Sequence, residues 1–339
     1  MASERAPRRR SFVYVVLASA VVMGGTGVGT AYVKAQAHAD VGRVSTAAAA
    51  PVAAGTSEEA SMEPVAEPTV EPGTLLSEVM KPVTAAAEDG AEVSVAVLDL
   101  ESGASATYGD GAFDTASIVK VDILAALLLQ AQDEDRSLTA QEKRYATSMI
   151  EVSDNASASA LWTAIGKAEG LAAANKRFGL TDTEGGTGML WGLTQTTAAD
   201  QLTLLQQVFA KNGEASELSG ASRTYLQGLM GSVADDQDWG VSAASTTGGH
   251  VALKNGWLPR TATGLWDINS IGRVTAADGR EFLIAVVSNG NTTKTKGVSL
   301  VESAARAAVS VFDSASTDAD TGRATAAAGA TGSGTAAGS

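Results

Sequence analysis

No cysteine occurs in the 339 residues. That excludes disulfides, thiolate nucleophiles and cysteine-based zinc sites. Histidine is almost as scarce, with His38 and His250 the only two. A multi-histidine metal centre is therefore excluded. A Ser-His-Asp triad could draw only on His250, which reads as a strand-edge residue. Lys and Arg number 24 against 38 Asp and Glu, for a formal charge of −14. Nucleic-acid binding needs clustered basic residues, so the composition argues against that partner. Large apolar residues are sparse in 38–74, a Pro/Ala/Glu stretch, and absent from 314–339, which is Ala, Gly, Thr and Ser with a few charges. Neither segment can bury enough surface to offset its ordering entropy, and both are expected to be disordered.

What remains, 75–313, suffices for one α/β domain with a sizeable core. Ahead of it, Arg5, Arg8, Arg9 and Arg10 precede an apolar stretch over 11–33, and Ala35-Gln36-Ala37 fits a small-x-small cleavage site. Residues 1–37 thus read as an export signal cleaved after Ala37, with an uncleaved anchor as the alternative. Arg9-Arg10-Ser11-Phe12-Val13 has the look of a twin-arginine signal. The domain is expected outside the cytoplasm, extracellular or on the outer membrane face, touching membrane only through this segment. The 38–74 spacer would hold it off the surface.

Periodicity within the domain predicts a helix over 75–87, strands over 94–98 and 104–108, and a long apolar helix over 117–132. Thr139 and Glu142 form a capping box, with helices following over 156–165 and 170–178. Gly179 is a stop signal, 180–195 reads as a glycine-rich loop, and 197–210 as a helix. Strands over 251–258, 265–274 and 281–289 and a helix over 298–312 complete the chain. Asp278-Gly279 marks the last hairpin. A sheet whose strands come from both ends of the domain needs the helical block as an insertion, with a cleft between the two.

Three short motifs could carry chemistry. In Ser117-Ile118-Val119-Lys120 an i, i+3 pair brings a hydroxyl and an amine to one face. A serine is nucleophilic only when a base takes its proton, and burial can depress a lysine pKa enough for that role. Alone, the pattern is equally a helix cap beside a surface lysine. Ser153-Asp154-Asn155 lies between helices, where such clusters commonly cap. Lys254-Asn255-Gly256-Trp257 sets a lysine inside an apolar strand, with a glycine that would let a substrate approach. The bland reading there is an edge-strand lysine.

Taken in order, the three resemble the Ser-x-x-Lys, Ser-Asp-Asn and Lys-x-Gly set of class A β-lactamases and penicillin-binding proteins. The resemblance covers most of 75–313 and is nearest to short actinobacterial class A-like serine hydrolases. It implies a β-lactamase/transpeptidase-like α/β fold: an antiparallel five-stranded sheet flanked by helices, with an inserted all-helical lobe. It also implies roles. Ser117 would attack the carbonyl, Lys120 would be the acylation base, and Ser153 would pass a proton to the leaving nitrogen. Lys254 would attract the substrate carboxylate. Asn155, Asn255, Gly256 and Trp257 would contact substrate. The backbone N–H groups of Ser117 and Trp257 would form the oxyanion hole. No cofactor or metal is implied. The expected partner is a β-lactam or D-Ala-D-Ala-like peptide, and the chain is expected to be monomeric.

The sequence departs from the family pattern in three places. Asn255 stands where a hydroxyl residue is usual. The segment between Ser117 and Ser153 is shortened. The loop over 180–195 has only Glu184 as a glutamate, with Gly188 four positions on in place of the asparagine that helps hold the deacylating water. The favoured expectation is a serine hydrolase that acylates Ser117 and hydrolyses the ester. The alternatives are a penicillin-binding protein or slow D,D-peptidase that acylates without fast turnover, and a non-catalytic cell-wall module.

Overall fold

The computed structural model describes residues 70–87 and 90–328, with side chains as far as 312. The export signal, its cleavage site, 38–69 of the spacer and 329–339 lie outside the described residues. Helix α1 (Pro72–Ala85) leads into β1 (Glu92–Asp99) and β2 (Ser105–Tyr108). The two-residue β3 (Phe113–Asp114) and a single 3-10 turn precede α2 (Val119–Asp133). Then come α3 (Ala140–Glu151), α4 (Asn155–Ala164), α5 (Lys167–Phe178), β4 (Gln195–Thr196), α6 (Ala198–Phe209) and α7 (Gly220–Met230). Strands β5 (Val251–Pro259), β6 (Trp266–Thr275) and β7 (Glu281–Asn291) precede α8 (Lys294–Ala328).

The main sheet has the order β2-β1-β7-β6-β5, every neighbour antiparallel. Its first two strands come from one end of the domain and its last three from the other, so α2 to α7 form the inserted lobe. Period-2 alternation divides the core between the two faces. Ala96, Leu98, Ala252, Ile271, Leu283, Ala285 and Val287 pack toward the lobe. Val95, Val97, Leu253, Val274, Ile284 and Val286 pack under α1 and α8. Helix α2 is buried on nearly every side, as a helix apolar all round must be. Each large apolar side chain it buries contributes roughly 1.5–3 kcal/mol.

Three elements differ from the sequence expectation. The helix expected from residue 117 begins at Val119, and Ser117 lies in the preceding 3-10 turn, Ala116–Ile118. That turn opens with a left-handed backbone at Ala116, φ 48°. Helix α7 had no counterpart in the reading, because Gly220 and Gly228 weaken its propensity. Its stability comes from the Ser219 cap and from burial of Leu226, Leu229 and Met230. The backbone of α8 continues to Ala328, past the boundary at 313 that composition suggested. Alanine, the best helix former, is the commonest residue of that extension.

Candidate active site

The nucleophile candidate is positioned by its backbone. Thr115 N–H donates to Thr194 O at 2.8 Å, and Asn269 Nδ2 donates to Asp114 O and Thr115 O at 2.8 and 3.0 Å. Asn269 is fully buried in β6, and its Oδ1 accepts from Ser288 N. One side chain therefore ties the serine-bearing turn to two strands. The sequence reading missed this residue. The available signal was the polar run Asp267, Asn269, Ser270 inside an otherwise apolar strand. Arg260 and Gln195 both hold the Asp114 carboxylate from the far side.

Two lysines converge beside that turn. Lys120 and Lys254 are both 0 % exposed. Lys120 Nζ donates to Ser153 O at 2.7 Å, Ser153 Oγ at 3.0 Å and Asn155 Oδ1 at 2.9 Å. Lys254 Nζ donates to the same Ser153 Oγ at 3.1 Å and to Asn255 O at 2.8 Å. A hydroxyl oxygen can accept from both, or accept from one and donate its proton to the other once that amine is neutral. Burial lowers Lys120 to about 7, against a smaller opposing pull from Asp154. Burial, reinforced by the positive charge of Lys120, holds Lys254 well below the usual lysine range. Lys120 is thereby prepared to exchange protons near neutral pH, and both amines give up a proton more readily than an exposed lysine does.

Ser153 is held in a left-handed backbone conformation, φ 56°, which is costly for a residue with a Cβ. Its neighbours enforce it. Asp154 N–H donates to Ser148 O at 3.0 Å, and the Asp154 carboxylate caps α4 by accepting from Ser157 N at 2.7 Å. The Ser-Asp-Asn cluster is therefore a helix cap and also a meeting point for two lysines. Asn155 opens α4 at the surface with its Oδ1 engaged by Lys120.

Strand β5 forms the edge of the sheet beside the serine turn. Gly256 is the point of contact. A Cβ there would lie 2.8 Å from Ser117 N and from Thr115 O. The glycine was expected to admit a substrate backbone; in the fold it admits the chain's own serine-bearing turn. Asn255 also differs from expectation. Alternation turns it away from Lys254, and its Nδ2 donates to Gln237 O at 2.7 Å and Trp239 O at 2.9 Å. Both amide hydrogens are consumed inside the protein, so the side chain does not replace the missing hydroxyl as a substrate donor. The Trp257 indole shares that face. It packs against Trp239 with ring centroids 6.1 Å apart, and Lys294 Nζ sits 4.0 Å from its centroid. The indole is thus engaged by groups of the protein itself.

The loop expected over 180–195 is shaped by a backbone bridge between Glu184 and Gln195 and a 3-10 turn, Trp191–Leu193. The Glu184 side chain is exposed on that bridge. What the loop brings to Lys120 is Trp191, whose ring centroid lies 5.1 Å from Nζ. Beneath the loop runs a buried network. Asp200 Oδ2 accepts from Asp182 N and Thr183 Oγ1 at 2.8 and 2.7 Å, and Thr183 Oγ1 lies 2.8 Å from Thr196 Oγ1. Gln201 Nε2 reaches Thr196 Oγ1 at 3.1 Å and Asp122 Oδ1 at 3.2 Å. His250 is exposed just ahead of β5, away from these groups. Among the described residues, no group of three or more His, Asp or Glu could hold a metal ion. No described helix is long and apolar enough to cross a membrane.

The architecture is the β-lactamase/transpeptidase-like fold, and solved structures of that fold superpose on the chain. A class A beta-lactamase from Bacteroides cellulosilyticus does so with a TM-score of 0.62 at 17% identity, over 73% of this chain and 100% of that one. PBP-A gives 0.60 at 21% identity, over 73% and 99%. The TLA-1 extended spectrum beta-lactamase gives 0.63 at 17% identity, over 72% and 99%. A variant of PBP-A was solved as an acyl-enzyme complex with penicillin G. Among curated proteins, none matches the chain. The model of the Beta-lactamase enzyme family matches residues 75–144 and 141–312, and the chain belongs to that family.

Proposed function

We propose that the domain is a penicillin-recognising serine enzyme that acylates Ser117 and releases the acyl group slowly. The observation that carries this reading is the convergence of two fully buried lysines, from α2 and β5, on the single hydroxyl of Ser153. A buried ammonium is costly, and two beside one another more so. A purely structural core would do better with apolar residues there.

In the proposed reaction Ser117 Oγ attacks the carbonyl of a β-lactam or related amide while its proton passes to neutral Lys120. The backbone N–H groups of Ser117 and Trp257 receive the developing oxyanion, a contribution of a few kcal/mol where such donors have been removed. The C–N bond then breaks as Ser153 delivers a proton to the nitrogen, replenished from the lysine pair. Asn155, with its Oδ1 on Lys120, offers its amide nitrogen to a substrate carbonyl. Lys254, in its protonated form, supplies positive charge for a carboxylate. The Glu184 carboxylate stands exposed on its bridge, which favours a persistent ester over rapid turnover. The matching substrate is a D-Ala-D-Ala-like peptide or its β-lactam mimic, met outside the cytoplasm by an exported, monomeric chain.

The test is the intact mass of the purified domain followed after mixing with benzylpenicillin. The expected result is a penicilloyl adduct on Ser117 that persists, and its absence from the Lys120→Met variant. An unmodified protein beside intact penicillin would overturn the reading.

A further inference from the structure

Within that acylation reading, the loop wall facing the lysine pair has a feature the chemistry has not used. Between Gly186 and Gln195 it contains no acid or base. Its one group against Lys120 is the indole of Trp191, 5.1 Å from Nζ. The indole is fixed. Trp191 Nε1 donates to Ser159 Oγ at 3.1 Å, and Trp162 Nε1 donates to Gly188 O at 2.8 Å from beneath. Gly186 is pressed so closely under Leu190 that a Cβ would lie 2.0 Å from its carbonyl oxygen. The same turn packs beside the two residues that precede Ser117: a Cβ on Gly192 would lie 3.9 Å from Ala116 Cα, and Thr194 O accepts from Thr115 N at 2.8 Å. Roof and serine turn are thus one packed unit.

We infer that Trp191 is a positioning residue that sets the lifetime of the acyl-enzyme, by filling with an apolar face the space over Lys120 from which water would attack the ester. Deacylation requires a water oxygen to bond the ester carbon, a base to take its proton, and the C–Oγ bond to break with a proton returned to Ser117. A water there needs two or more polar partners to stay. The indole face offers none, and its one N–H is held by Ser159.

The test separates the two half-reactions, with benzylpenicillin as probe and intact mass as readout. Trp191→Ala is expected to shorten the adduct lifetime at least about tenfold while the acylation rate changes less than about threefold. Trp191→Phe, which keeps an aromatic face, is expected to retain most of the parent lifetime. Ser159→Ala, which frees the indole without removing it, is expected to shorten the lifetime less than Trp191→Ala does, and it decides the matter if Trp191→Ala fails to fold. An unchanged lifetime in Trp191→Ala, or in Ser159→Ala where Trp191→Ala does not fold, overturns the inference and leaves the acylation reading standing. Failure of the parent protein to form any adduct overturns both.

Discussion

Replacing Asp122 with asparagine is expected to stabilise the folded chain at neutral pH and to remove one component of its pH dependence. Asp122 is 1 % exposed, on α2 two positions beyond Lys120. Desolvation raises its pKa from 3.8 to about 7, opposed by the Gln201 hydrogen bond and assisted by the charge of Asp200. Two buried oxygens at this spot, Asp122 Oδ2 and Gln201 Oε1, have no donor. A proton on the carboxyl lets one bond the other, and an asparagine amide can do the same without a charge. The sign follows. Below about pH 4 folded and unfolded chains both hold the proton. As pH rises from about 4 to about 7 the unfolded chain ionises and the folded one resists, so stability is lost. Above about 7 the full penalty is present. The displacement corresponds to roughly 4 kcal/mol at about 1.4 kcal/mol per pH unit, and relaxation around the site makes about 2–4 kcal/mol the expected gain. Urea unfolding of both proteins at about pH 4.5, 6 and 7.5 measures it, and the difference between them cancels the other titrating groups. An Asp122→Asn variant no more stable than the parent at pH 7.5, or a difference that does not change with pH, would refute the reasoning.

Acylation should follow the neutral fraction of Lys120. Its rate is expected to rise with pH through about 7 and level off above, and stopped-flow acylation at fixed penicillin concentration would read the midpoint. Gly256→Ala should cost acylation at least about a hundredfold, with about 1–3 kcal/mol of stability, because its Cβ meets backbone atoms of the serine turn at 2.8 Å. Adduct formation and thermal melting check the two effects separately, and a variant acylating at the parent rate would contradict the contact assigned to Gly256.

Element order, the five-strand assignment and the insertion were legible because each rests on a local period: 3.6 for the helices, 2 for the strands. The same period contained the correction at Asn255. A strand that aims Lys254 at the lobe must aim Asn255 the other way, and the alternation of β5 states this before any fold is known. Trp191 lies in the glycine-rich loop, but its place over Lys120 depends on how that loop packs on α4. Helix α7 was invisible because its glycines argue against a helix that burial nevertheless stabilises.

Sequence alone determined which groups were available: a serine and lysine on one turn, a Ser-Asp-Asn cap, a lysine in a late strand, and a loop poor in acids. Those are properties of short segments, set by residue type and spacing. Only the tertiary structure decided that two lysines share one hydroxyl, that Gly256 serves the backbone of the Ser117 turn, that Asn269 anchors that turn, and that Asp122 is buried where desolvation raises its pKa to about 7. Each of those depends on atoms far apart in the chain meeting within about 3 Å, and on the water excluded when they do. Register and packing create that proximity, and no local pattern encodes it.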